Sequence, residues 1–193
     1  MCEYEGLTEK SIMTYEADII KGIAGQLNDA GIPYMFTGSI AANFYTVPRM
    51  TRDIDIVVEL KEADIDRVYN LFEKDFYIDK EMILDAIKKG GMFNIIHYQS
   101  VFKVDFIIRK GNPYRVEEFK RRKRITFEDT ELYITAAEDL ILSKLYWAKE
   151  SMSELQLNDV KNLLKYVKGL DEGYLRQWAN YLGVEEIYKK IKA

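Results

Sequence analysis

Apolar residues recur along this chain at two different periods. Steps of three and four residues mark helices, and steps of two mark strands. Ile12, Tyr15, Ile19, Ile20, Ile23 and Leu27 trace an amphipathic helix over residues 5–30, with Asn28-Asp29-Ala30-Gly31 as its stop and Pro33 just beyond. Tyr34 to Thr37 read as a first strand, which Gly38 ends; Ser39 to Phe44 open a short helix that Pro48 terminates. Asp53 to Glu59 form a second strand, rich in the strand formers Ile54, Ile56, Val57 and Val58. Ile65, Val68, Tyr69 and Phe72 place a helix over 61–74, and another spans 79–89 before Gly90-Gly91.

Met92–Tyr98 and Val101–Ile108 predict a hairpin closed by a tight Gln99-Ser100 turn. Residues 114–134 read as a short helix or turn followed by strands at Arg124–Phe127 and Glu131–Ile134. From Thr135 onward the pattern is helical throughout. Thr135-Ala136-Ala137-Glu138 has the form of a capping box, and helices are expected over 136–150, 153–168, 171–181 and 184–191. The reading is an α/β (α+β) core over 1–135 and a helical C-terminal subdomain over 136–193.

Composition narrows the chemistry more than the fold. The 193 residues are 48% hydrophobic and 31% charged, an ordinary globular balance for one domain with or without a small appendage. One cysteine, Cys2, and one histidine, His97, leave no disulfide framework and no Cys-based zinc site, and argue against a histidine-rich metal site or a His triad built on a Cys nucleophile. No apolar run is long enough to span a membrane and no signal-peptide pattern is present, so a reducing cytoplasm is the default expectation. The formal charge of −4 argues against a protein that coats nucleic acid non-specifically.

Within this ordinary chain, Asp53 and Asp55 stand out. Side chains alternate across a strand, so the two carboxylates share a face, roughly 6.5–7 Å apart along it. Like charges at that spacing repel, and a divalent cation resolves the conflict because carboxylates are hard oxygen ligands for Mg²⁺ or Mn²⁺. The bland alternative is the solvent-facing side of an amphipathic strand, where the two acids are simply solvated. Upstream, the Gly38-Ser39 turn opens a helix whose first N–H groups suit a phosphate. A third acid, Asp105, shares a strand face with Lys103 and Ile107, and it faces the same way as Asp53 and Asp55 provided the strands are neighbours.

The pattern Gly38-Ser39, thirteen residues, Asp53-Ile54-Asp55, then Asp105 on a later strand resembles the nucleotidyltransferase superfamily with the polymerase-β-like fold. The flanking YTVPRMTRDIDIVV looks closest to the small toxin-type nucleotidyltransferases of abortive-infection systems. The resemblance implies a mixed sheet flanked by helices and a two-metal site that moves an NMP from an NTP, such as ATP, to an acceptor hydroxyl. It implies that Asp53, Asp55 and Asp105 hold Mg²⁺ or Mn²⁺, with Asp105 acting on the acceptor hydroxyl as base or base-orienter. Gly38 and Ser39 would then bind the triphosphate. The acceptor it implies is a tRNA 3′ end or other RNA, with an antitoxin as partner. A small aminoglycoside-like acceptor is the alternative, and a catalytically silent nucleotide-binding or antitoxin-like domain is the rival from another class.

Further residues carry two readings each. Lys144 falls within the apolar stripe of Ala137, Leu140, Ile141, Leu145 and Ala148, so it either snorkels or meets an anion; the family carries a lysine here as a phosphate contact. Asp159 matches an acidic position on the family's next helix and otherwise reads as solvated or capping. Arg49 and Arg52 either hold phosphate or pair with nearby acids. Lys120-Arg121-Arg122-Lys123-Arg124 is the one concentrated basic run, either an RNA-backbone contact or a solvated face. His97 reads as a structural or surface residue, and Tyr146, Trp147, Tyr166 and Trp178 as helix packing.

Overall fold

The Asp-x-Asp strand, β2 (Asp53–Val58), lies inside a sheet, between β1 (Tyr34–Phe36) and β5 (Lys103–Ile108). The structure is a computed structural model that describes residues 9–51, 53–151 and 153–192. Arg52, Cys2 and the expected first helical turn at 5–8 lie outside the described residues, as do the side chains of Ile12 and Tyr15. The sheet has seven strands in the order β3-β4-β5-β2-β1-β7-β6. Its other members are β3 (Phe76–Tyr77), β4 (Met92–His97), β6 (Lys123–Phe127) and β7 (Thr130–Ile134). β2 runs parallel to β5 and β1 parallel to β7, while the remaining pairs are antiparallel, so the sheet is mixed. β2 is amphipathic, with Asp53 on its exposed face, Asp55 half-buried, and Ile54, Ile56 and Val58 buried.

Alternation sorts the two central strands by face. Ile54, Ile56 and Val58 are buried with Val104, Phe106 and Ile108 on one face of the sheet. There Phe106 stacks on Phe93 and meets Phe72 from the helix α3 (Ile65–Phe72), which a 3-10 turn at Glu62–Asp64 precedes. Asp53 and Asp55 share the opposite face with Lys103 and Asp105.

The described helices before the last strand are α1 (Glu9–Asp29), α2 (Gly38–Tyr45), α3, α4 (Lys80–Lys89) and α5 (Pro113–Lys120). After it come α6 (Ala137–Ser151), α7 (Glu154–Tyr166), α8 (Glu172–Leu182) and α9 (Glu185–Lys192). One continuous hydrophobic core takes in Ile23 of α1, Phe36 of β1, Leu140 of α6, Leu163 of α7 and Leu175 of α8. No helix among the described residues is long and apolar enough to cross a membrane.

Three local expectations are corrected. The hairpin turn is not a tight Gln99-Ser100 pair. His97 N–H donates to the Phe102 carbonyl and Val101 N–H to the His97 carbonyl, a wider loop that holds Val101 at φ +59°. Thr135 does not cap a helix: its Oγ1 and its N–H both donate to the Phe36 carbonyl, and α6 starts two residues later. Tyr146, Trp147 and Tyr166 are largely exposed on α6 and α7 rather than buried in the core. Trp178 does pack, against Tyr114, Tyr174 and Tyr181.

Candidate active site

The site forms where β1 ends beside β2. Thr37 N–H donates to the Asp55 carbonyl at 2.9 Å, which draws the Gly38 turn against the Asp55 side chain. Gly38 sits at φ +60°, and a Cβ built on it would collide with Asp55 Oδ2. Glycine is required here twice, for its left-handed backbone and for the room its missing side chain gives the carboxylate.

The parallel register sets Asp53 opposite Lys103 and Asp55 opposite Asp105. The condition on Asp105, that its strand neighbour β2, is met. Asp53 is open to solvent with a side chain 63% exposed, Asp55 is half-buried, and Asp105 is buried. Burial pushes the Asp55 carboxyl above its ordinary range, and the charges of Asp105 and Asp53 push it further. Lys103 Nζ lies 2.8 Å from Asp105 Oδ2 and 3.9 Å from Asp53 Oδ1, and its hydrogen bond to Asp105 raises its own pKa. Asp105 Oδ1 is buried with no hydrogen-bond partner. Among the described residues, no group of three or more acid, histidine or cysteine side chains is placed so that it could hold a metal ion. The acids here share one sheet face without converging on one point, and a lysine ammonium sits among them.

A second cluster joins the start of α2 to the C-terminal helices. Arg49 Nη2 donates to Ser39 Oγ at 2.7 Å and to Asp159 Oδ2 at 3.1 Å. Asn43 fixes the backbone of Arg49 from both sides: its Oδ1 accepts from Arg49 N–H, and its Nδ2 donates to the Arg49 carbonyl. Lys144 Nζ, on α6, lies 2.7 Å from Asp159 Oδ2 on α7 and donates also to Gln156. Both partners are buried, so Lys144 meets an anion rather than snorkelling, and Asp159 is neither solvated nor a cap. Burial opposes the Asp159 charge, but hydrogen bonds from Arg49 and Lys144 prevail and hold its pKa below the ordinary range. Lys144 also lowers the pKa of Asp55 through its charge, which couples the two clusters.

The basic run is mostly spent on internal contacts. Arg121 pairs with Glu138 and Asp139 and lies over the Tyr174 ring. Arg122 donates to the Phe119 carbonyl and covers Phe119 and Tyr133, and Arg124 pairs with Glu131. Lys120 and Lys123 remain exposed. His97 is structural, its Nδ1 on Ser100 Oγ at 2.8 Å and its ring edge-on to Phe76. Sequence reasoning missed Asn43, Gln156 and the Lys103 ion pair. Of these, only Lys103 left a trace, as the basic partner of Asp105 on one strand face.

No family model matches the chain, and no curated protein matches it by sequence. Solved structures match by fold. An antigenic nucleotidyltransferase-like protein from Paracoccidioides brasiliensis is similar at 12% identity and TM-score 0.61, over 97% of this chain and 94% of that one. The antibiotic-resistance factor ANT(2″)-Ia is similar at 12% identity and TM-score 0.59, over 92% and 98%. The lincosamide antibiotic adenylyltransferase LnuA, in its lincomycin-bound form, is similar at 14% identity and TM-score 0.52, over 84% and 100%. The chain shares its fold with these three structures.

Proposed function

We propose that the protein is a metal-dependent nucleotidyltransferase that moves an NMP from an NTP to an acceptor hydroxyl. The observation that carries this reading is the meeting of the Gly38 turn with Asp55, directly across the strand pair from Asp105. Carboxylates are the hard oxygen donors a divalent cation takes, and holding one here requires the three side chains to turn toward a common point and displace the Lys103 ammonium. Asp105 Oδ1 is buried without a partner, burial and then the charges of Asp105 and Asp53 push the Asp55 carboxyl up, and Asp53 is mostly exposed. Asp53, Asp55 and Asp105 would hold the metal, which when bound supplies charge stabilisation for the attacking and leaving oxygens.

The chain's own residues then have distinct tasks. Ser39 Oγ and the first N–H groups of α2 meet the β- or γ-phosphate, as unpaired helix amides do for anions. Arg49 and Lys144 bring positive charge to the same end, and Asp159 orients both. The acceptor oxygen bonds to the α-phosphorus, the bond to the β-phosphate oxygen breaks, and pyrophosphate leaves. Asp105 takes or orients the proton released by the acceptor hydroxyl. Such transfer needs positioning and electrostatics more than covalent participation by the protein.

An RNA acceptor, such as a tRNA 3′ end, draws support from the basic run at 120–124. The arginines of that run are engaged in ion pairs, aromatic contacts and a backbone bond, which favours the second acceptor class, a small hydroxylated molecule. The names of ANT(2″)-Ia and LnuA point the same way. The test is transfer of label from each α-³²P NTP with Mg²⁺, offered total RNA in one arm and aminoglycosides and lincosamides in the other. Asp53→Asn should lower transfer on the order of 100-fold or more. Full activity in that variant would remove the assignment.

A further inference from the structure

Away from the acids, α1, α2, the loop before β2, and β6 enclose a cavity of about 620 Å³. That volume lies within the range of small-molecule sites. Ile20, Ile40, Phe44 and Phe127 make its lining largely apolar, and Phe44 and Phe127 meet edge to face at 5.4 Å. Met50, on the lining, and its loop neighbour Val47 are both exposed, which carries apolar surface beyond the mouth. One wall is pinned by the Lys21–Glu128 ion pair between α1 and the β6–β7 turn.

Among the described residues, one carboxylate on the lining of this apolar cavity has no counter-charge. Glu16 lines the cavity, has no hydrogen bond or ion pair among the described residues, and is half-buried, which alone pushes its pKa up. Among the described residues, the nearby cations are already committed: Lys21 to Glu128 and Asp18, Arg49 to Asp159 and Ser39. A half-buried acid beside an apolar cavity calls for a cation with an apolar body.

We propose that this cavity binds a small organic cation, an ammonium on an aromatic or branched aliphatic body, with Glu16 as its counter-ion. The site is separate from the acids of β2 and β5 yet touches their surroundings. Asn43 and Arg49 both line the cavity; Asn43 fixes the Arg49 backbone, and Arg49 in turn donates to Ser39 at the start of α2. Occupancy therefore bears on the phosphate end of the candidate active site. The proposal needs no transfer step, so it stands or falls independently of the function assigned above.

The test is a ¹⁵N NMR titration of the whole chain with 2-phenylethylammonium chloride and, separately, with 2-phenylethanol as the neutral counterpart. Saturable amide shifts at Ile20, Phe44, Arg49 and Phe127 are expected, with the ammonium binding about fivefold more tightly than the alcohol, the scale of a partly exposed ion pair. Glu16→Gln should bring the two affinities together, while Glu16→Asp, which keeps the charge, retains the preference and separates a charge effect from a folding defect. Absence of saturable shifts at these amides, equal affinity for the two probes, or an unchanged preference in Glu16→Gln would each overturn the proposal.

Discussion

Asp55 is held in an unfavourable place. Its carboxylate is half-buried, set across from Asp105 on the neighbouring strand, and pressed against Gly38. Removing its charge relieves repulsion, so Asp55→Asn should melt at or above the wild-type temperature at neutral pH while losing transfer. A thermal scan beside a transfer assay checks both halves; a drop of several degrees would mean that Asp55 is a structural group. Gly38→Ala acts oppositely, because an L-residue at φ +60° costs roughly 1–2 kcal/mol before the clash with Asp55 is counted. For a chain of this size a fall in Tm of at least about 3 °C is expected. The common face of Asp53, Asp55 and Asp105 was legible because strand alternation is rigid and each acid interrupts a run of strand formers. The pairing of Lys103 with Asp105, and the collision that keeps residue 38 a glycine, depend on side-chain positions that no spacing rule specifies.

The loop before β2 is tied to α6 and α7 through one buried carboxylate. Asp159 neutralises both Arg49 and Lys144, so Asp159→Asn leaves two cations without their partner, whereas Lys144→Met leaves Asp159 still bonded to Arg49. Breaking a buried pair from one side costs roughly 3–5 kcal/mol. The larger loss of Tm should follow Asp159→Asn, and added NTP should raise the Tm of that variant more than that of the wild type, since phosphate replaces the lost anion. Equal losses in the two variants, with no extra gain from NTP, would count against a phosphate role for the cluster.

A second buried acid joins α5, α6 and α8. Asp139 accepts from Tyr174 Oη and Arg121 Nε, but burial outweighs these bonds and pushes its pKa up to about 6. A carboxyl whose pKa is raised on folding stabilises fully below its unfolded value near 4 and loses that contribution as pH rises through about 6. The Tm difference between wild type and Asp139→Asn should therefore favour the wild type more at pH 4 than at pH 7; a flat difference would contradict the sign. Element boundaries were readable from periodicity, yet Thr135 illustrates the limit. Its capping-box sequence is intact, but pairing with Phe36 across the sheet claims the hydroxyl first.

Across the whole molecule, the sequence pattern sufficed for the fold but not for the surface. The basic run at 120–124 is contiguous in sequence, and folding spends its arginines on Glu138, Asp139, Glu131 and nearby aromatic rings. A double charge reversal at the two remaining lysines, Lys120→Glu with Lys123→Glu, should leave transfer to the protein's acceptor within about twofold at any salt concentration, because a small acceptor offers no phosphate backbone to lose. A tenfold loss that deepens as salt is lowered would restore RNA as the acceptor.

The central claim is cleavage between the α- and β-phosphates. A single-turnover reaction with α-labelled and γ-labelled NTP in parallel tests it most directly. The account predicts that the α-label joins the acceptor, that the γ-label leaves in equal amount as pyrophosphate, and that both signals require a divalent cation and vanish in Asp55→Asn. Transfer of the γ-label to the acceptor, its release as orthophosphate, or full turnover by Asp55→Asn would contradict it.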